Sequence, residues 1–171
     1  MSSPAPPTHP DLTTDRLVLR SWTPADVTAV QDGARASHWA DDFPAEGDRV
    51  IAGLFAEHPA WLGPYGHRLI TERATGLVIG SIGLFWPPSD GALEIGYGIV
   101  PSRRGRGYAP EATRALTTFA LGAPGVNAVH ATVELSNPPS IRVLEKSGFR
   151  RHSTPPDQTR PDQNVARYRA H

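Results

Sequence analysis

The chain predicts a mixed α/β fold, α+β in layout, and three observations carry that reading. Residues 93–100 alternate apolar side chains as a strand does (Leu93, Ile95, Tyr97, Ile99), then pass through a turn dense in Gly and Arg into a helical pattern at Ala112, Ala115, Leu116 and Phe119. Residues 137–149 read as a helix with both ends marked: Ser136 or Asn137 caps it, Pro138 occupies the tolerant first turn, and Gly148 stops it. Around these units lie short alternating runs bounded by Gly, Pro and Asp, which are strand signals.

The elements follow in order. Residues 1–11 are a Pro/Ser-rich arm expected to be disordered, and 12–171 form a single domain. A chain of 171 residues suits one domain with its own core. Residues 12–22 alternate as a strand. Thr23-Pro24 opens a helix reaching about Ala36, with Val27, Val30 and Ala34 facing inward, and 37–44 are irregular. A second helix over 45–57 is expected to bury Val50, Ile51, Leu54 and Phe55. Residues 66–72 and 77–86 read as paired strands around a turn at 74–76, and 92–100 as the next strand. A helix over 107–121 breaks at Gly122 and Gly125; then come a strand over 126–135, a helix over 138–147, and a final strand pair, 149–154 and 164–170, joined by a Pro/Asp/Gln loop. No internal repeat is visible.

The turn at 103–109 is the sharpest functional signal. A strand feeding a Gly-rich turn that opens a helix leaves several N–H groups unpaired and aimed at one point, and the helix dipole adds to their field. Gly105 and Gly107 let the main chain approach a ligand closely, and Arg103, Arg104 and Arg106 supply charge suited to phosphate. The pattern is a phosphate cradle, with a ligand-free surface turn as the plain alternative. A Walker loop is excluded, because the chain's single lysine, Lys146, lies far from the turn. A dinucleotide fingerprint is excluded too, since Gly105-Arg106-Gly107 is followed by Tyr108-Ala109-Pro110 and the third glycine is missing.

The spacing that does occur, Arg104-x-x-Gly107-x-Ala109, resembles the Gln/Arg-x-x-Gly-x-Gly/Ala signature of the GNAT superfamily of N-acetyltransferases. The segment Asn137 to Phe149 resembles the Asn-x-x-Ser-x-x-Val-Leu-Glu-Lys-x-Gly-Phe block of the branch that acetylates ribosomal-protein N-termini, the RimJ/RimL-like enzymes. Leu12 to Arg20 resembles that branch's first strand, Thr-x-Arg-Leu-x-Leu-Arg. Three blocks in the right order span nearly the whole chain. The resemblance implies a GNAT fold: a twisted mixed sheet of six to seven strands with helices on both faces, splayed between the fourth and fifth strands.

The resemblance also implies acetyl-CoA as acyl donor and a primary amine (a protein N-terminus, an amino sugar or a small-molecule amine) as acceptor, joined by direct transfer in a ternary complex. Arg104, Gly105, Arg106, Gly107, Tyr108 and Ala109 would hold the diphosphate. Ile99 and Val100 would give main-chain contacts to the pantetheine arm, and Asn137 would bond its amide. Gly96-Tyr97-Gly98 inside the strand suggests a bulge or a close backbone approach, or plain strand irregularity. Such a transfer needs a base for the ammonium and an acid for the thiolate. Glu94, flanked by Leu93 and Ile95, is the candidate base; partial burial would raise its pKa. Glu94 as a solvated carboxylate or an ammonium clamp, and Glu134 as the base, are the alternatives. Many members of the family use a tyrosine as the acid; Ser140 stands at that position here, where its weakly acidic hydroxyl would hydrogen-bond the CoA thiolate or relay a proton through water. His38, Asp41 and Asp42 fall in the region that covers the acceptor side in the family, where an acid pair would recruit a cation or form a solvated turn.

Composition sets the remaining bounds. Basic and acidic residues balance at 17 each, so no global field recruits nucleic acid or an anionic membrane. No cysteine is present, which excludes disulfides, thiolate metal sites and a Cys nucleophile and suits a reducing cytoplasm. Seven histidines lack metal-ligand spacing, so no metal is expected. The N-terminus lacks a signal-peptide layout and no apolar run reaches membrane-spanning length, so a soluble cytoplasmic protein is expected; the family resemblance implies exposed strand edges that would pair into a homodimer. A non-catalytic acyl-CoA-binding module, a transferase with another acyl donor, and an RNA-binding domain built on the arginine cluster are the rival readings.

Overall fold

A computed structural model describes residues 10–152 and 165–171. Eight strands form one sheet in the order β1-β2-β3-β4-β5-β6-β8-β7. The strands are β1 Leu12–Thr13, β2 Leu17–Ser21, β3 His67–Glu72, β4 Leu77–Leu84, β5 Ala92–Ile99, β6 Ala128–Glu134, β7 Arg150–His152 and β8 Val165–Ala170. Four α-helices accompany them: α1 Pro24–Gln31, α2 Glu46–Leu54, α3 Tyr108–Leu121 and α4 Pro138–Lys146. All neighbouring pairs are antiparallel except β5 and β6.

The β5–β6 pair makes the site. It is hydrogen-bonded only from Ala92 to Glu94, opposite Ala128 to His130. Beyond Glu94, β5 stays on β4, with Ile95 opposite Leu84 and Ile99 opposite Gly80, and parts from β6. This is the expected splay. The Val100 N–H donates to Ile79 O at 2.9 Å, so the two-residue alternation of a strand turns the main-chain groups of Tyr97 and Ile99 toward the gap.

Helices cover both faces, as expected. On one, Ser81 of β4 hydrogen-bonds Asp48 of α2. On the other, the Arg68 guanidinium of β3 lies 5.2 Å from the Phe119 ring of α3, and Tyr97 of β5 reaches Ser140 of α4. The core between these layers includes the fully buried Leu17, Leu19, Ile70, Ile79, Leu84, Leu93 and Leu116. Arg68 is itself buried; its guanidinium is spent on the carbonyls of Pro10, Leu19 and Pro64.

Four details correct the sequence reading. Residues 12–22 are not one strand: Thr14 bonds Leu17 through both main chain and side chain, folding the segment into β1 and β2 and raising the strand count to eight. The first helix ends at Gln31, with Gly33 at φ 70° just past it, so Ala34 is exposed rather than inward. In α2 the buried face runs through Asp48 and Ala52, which leaves Val50 56% exposed. A short 3-10 helix, Pro59–Leu62, occupies a stretch with no clear periodicity. Most of the N-terminal arm and the loop between the last two strands lie outside the described residues.

Candidate active site

Two left-handed glycines build the cradle. Gly105 has φ 78° and Gly107 φ 79°, a region where side chains are strained. Gly107 is the N-cap of α3 and brings no side-chain cap, so the first-turn N–H groups remain available to a ligand. Glu111, in that first turn, accepts from Arg16 Nε at 2.8 Å, from Arg16 N at 3.0 Å and from Thr14 Oγ1 at 2.5 Å. Arg16 also donates to Arg106 O at 2.8 Å and packs its guanidinium over the Tyr108 ring at 4.5 Å. The segment that carries Thr14 and Arg16 therefore braces the cradle from outside.

Glu72, at the end of β3, is the cradle's hidden anchor. It is 3% exposed and lies 3.3 Å from Arg103 Nε and 3.7 Å from Arg106 Nη1, while the Tyr108 hydroxyl donates to it at 2.8 Å. Burial alone would push its carboxyl up; hydrogen bonds from Thr75, Tyr108 and Arg103 outweigh that and hold it below the usual carboxylate range. Sequence reasoning missed Glu72, and only its charge at a strand end hinted at it.

A cavity of about 520 Å³ opens beside this turn. Of the sequence-predicted residues, Ile99, Arg104, Gly105, Gly107, Tyr108, Ala109, Asn137 and Ser140 line it together. Val100 and Arg106 do not: Val100 is buried, its N–H given to Ile79 and its carbonyl to Arg103 N, and Arg106 turns toward Glu72. Arg142 and Lys146 of α4, unforeseen from the sequence, add cationic side chains to the wall. Arg104 Nε donates to Ile99 O at 2.9 Å, tying the turn back to β5. Asn137 Oδ1 accepts the Ser140 N–H at 3.4 Å, so the residue caps α4 while it remains exposed on the cavity wall.

Ser140 has a partner no motif announced. The Tyr97 hydroxyl sits 2.7 Å from Ser140 Oγ and 3.1 Å from Ser140 O. Burial holds the Tyr97 phenol above its ordinary pKa, although the Ser140 hydrogen bond pulls the other way. Tyr97 is thus protonated at neutral pH and able to donate.

Glu94 is not where a buried base would sit. Leu93 and Ile95 turn into the core, so alternation sends Glu94 to the opposite face, 46% exposed and 3.8 Å from His130 Nε2. It lines a separate depression with Phe85, Asp90, His130 and Arg167. Glu134 is exposed and lines none of these cavities. Asp42 is committed to Ser102, accepting from its N–H and its hydroxyl at 2.8 Å each, so it holds a loop rather than waiting as half of an acid pair.

A second cavity, about 320 Å³, lies across β5 against α2. Both cavities touch Tyr97, Gly98, Ile99 and Arg104 and so meet at the free end of β5. Among the described residues no helix is long and apolar enough to cross a membrane, and no group of three His, Asp or Glu side chains is placed to hold a metal.

Known proteins share this architecture. The N-acetyltransferase YjdG of Bacillus subtilis is 33% identical over 82 residues, 47% of this chain and 49% of that protein, so the match spans about half the length of such curated relatives. The crystal structure of an acetyltransferase from Agrobacterium tumefaciens superposes with a TM-score of 0.67 at 25% identity, covering 100% of this chain and 99% of that one. RimL, a ribosomal-protein α-N-acetyltransferase solved in complex with coenzyme A, shares the fold at a TM-score of 0.67 and 18% identity, covering 94% of this chain and 97% of its own. Residues 16–150 match the acetyltransferase (GNAT) domain, and this chain belongs to that family.

Proposed function

We propose that the protein is an N-acetyltransferase that takes acetyl-CoA and passes the acetyl group directly to a primary amine. The observation that carries this reading is one continuous space. The uncapped helix α3, the free edge of β5 and the Ser140–Tyr97 pair all open on the 520 Å³ cavity. Its chemistry fits the donor: N–H groups and the Arg104, Arg142 and Lys146 side chains suit phosphates, and the inward main chain of Tyr97 and Ile99 suits an amide-bearing arm.

In this reading the amine nitrogen attacks the thioester carbonyl from the α2 side, and main-chain N–H groups facing the gap take the charge that develops on oxygen. The carbon–sulfur bond breaks and sulfur leaves with its electron pair. Ser140 gives its hydroxyl proton to sulfur and regains one from Tyr97 at 2.7 Å, and Tyr97 recovers its own from solvent before the next turnover. Glu94, exposed and in a separate depression, takes a proton only through solvent. The acceptor is a primary amine, that of a protein N-terminus, an amino sugar or a small molecule, and we place the reaction in the cytoplasm.

The test is thiol release from acetyl-CoA against a panel of amines and N-terminal peptides. Turnover that falls in Ser140→Ala while CoA affinity holds supports the reading. Tight CoA binding with no turnover for any acceptor would instead make the protein a binding module.

A further inference from the structure

Three strands meet on the α2 face in two rows. His67 of β3, Gly83 of β4 and Gly96 of β5 stand directly opposite one another, and two residues along so do Leu69, Ser81 and Gly98. Glycine strips this floor of side chains for a reason: a Cβ on Gly83 would fall 2.0 Å from His67 Nδ1. Two buried polar groups overlook the floor. Asp48 is 4% exposed and accepts from the Ser81 hydroxyl and from Ala45 N at 2.8 Å. His67 is 2% exposed, set among Phe55, Trp61 and Phe85, and its Nε2 has no hydrogen-bond partner among the described residues.

A buried polar atom left without a partner is costly, and of the seven such atoms among the described residues His67 Nε2 alone belongs to a residue lining this cavity. Both Asp48 and His67 line the 320 Å³ cavity that meets the donor cavity at β5. Arg104 is the other charged group on its wall, and its Nε is committed to Ile99 O.

We propose that this cavity receives the acceptor as a short primary amine, its ammonium against Asp48 and an uncharged hydrogen-bonding group at His67 Nε2. The inference rests on the acetyltransferase reading above. The two rows lie about 7 Å apart, the rise of two strand residues, which matches a short chain between the two groups. Burial keeps His67 neutral, so one ring nitrogen donates and the other accepts; a hydroxyl, which does both, fits either tautomer. Asp48, not Glu94, is the carboxylate nearest the reacting nitrogen. It bonds Ser81, which faces Gly98, whereas Glu94 lies four residues back along β5, about 13 Å. Burial raises Asp48 above the usual carboxylate range against the hydrogen bonds of Ser81 and Ala45, which suits it to accept a proton. The ammonium loses one proton to Asp48, the nitrogen bonds the acetyl carbon as the carbon–sulfur bond breaks, and the nitrogen's second proton leaves as sulfur is protonated.

The experiment measures CoA release by the full chain with butylamine and with 4-amino-1-butanol, using wild type, Asp48→Asn and His67→Phe, and titrates each protein with CoA as a folding check. Wild type should favour the amino alcohol in kcat/KM by about tenfold, the worth of one satisfied buried hydrogen bond. His67→Phe should erase that preference, bringing kcat/KM for the two amines to parity. Asp48→Asn should raise KM for both amines about tenfold or more and leave KM for acetyl-CoA unchanged. Equal use of the two amines by wild type, a preference that survives His67→Phe, or an unchanged amine KM in folded Asp48→Asn each overturns the proposal. If Asp48→Asn binds no CoA, the wild-type and His67→Phe comparison decides alone. Turnover confined to peptides overturns this inference and leaves the acetyltransferase reading standing; no CoA binding at all overturns both.

Discussion

The two sides of the free end of β5 are built on opposite physical plans. The donor side is main chain and exposed cation: two left-handed glycines, an uncapped helix, and arginine and lysine side chains in contact with solvent. The acceptor side is a glycine floor roofed by aromatic rings, with a carboxylate and an imidazole each almost wholly buried. A common, highly charged ligand group is gripped by local backbone geometry and screened charge, so its site tolerates water. A small amine offers one charge and little surface, so it needs a desolvated partner. The donor side should therefore respond to backbone strain and salt, and the acceptor side to pH and to single polar deletions.

The largest expected effect is on the acceptor side. Burial pushes His67 down from 6.5 to about 4. Between those values the unfolded chain binds a proton that the folded one does not. Stability is therefore intact above pH 6.5 and lost as pH falls toward 4, by about 3 kcal/mol if the imidazole stays neutral throughout. Asp48 works in the opposite sense, favouring the fold below its raised pKa and losing that contribution as pH rises through it. Urea melts of wild type and His67→Phe from pH 4 to 7 separate the two: the variant should lack most of the acid loss. A parallel loss in both would remove His67 from the account.

Next in size is the backbone of the donor side. Gly107→Val places a β-branched residue at φ 79°, a strain on the order of 1–3 kcal/mol. CoA affinity should fall by about tenfold to a hundredfold in calorimetry, with the affinity for an amine probe unchanged; equal losses at both sites would mean the two sides are not separable. Smaller again, Tyr97→Phe should lower kcat by about tenfold with KM for acetyl-CoA unchanged, because it removes the proton behind Ser140 and not the hydroxyl at the thiol. The smallest effect belongs to Lys146→Ala, about threefold in CoA affinity and shrinking as salt rises, as screened surface charge requires.

The same contrast decides what the sequence could disclose. The cradle is contiguous: Arg104 to Ala109 carry their conformation in their own glycines, and a strand and a helix flank them within a few residues. The α4 cap at Asn137 and the stop at Gly148 are local for the same reason. The acceptor side draws on α2, β3, β4 and β5, whose residues 48, 67, 81 and 98 meet only through sheet register. No spacing rule connects them. The apolar neighbours of Glu94 suggest burial, whereas strand alternation gives neighbours opposite faces and leaves its side chain 46% exposed. Glu72 and Tyr97 went unread because each acts on a partner far along the chain, Tyr108 and Ser140 respectively.

The central claim is that the turn at Gly105 and Gly107 grips a diphosphate and fixes a thioester against parted strands. Calorimetric titration of the full chain with coenzyme A tests it most directly. Saturable one-to-one binding that weakens in Gly107→Val and persists in Asp48→Asn is the predicted result. A folded wild-type protein that gives no binding heat at millimolar coenzyme A would contradict it.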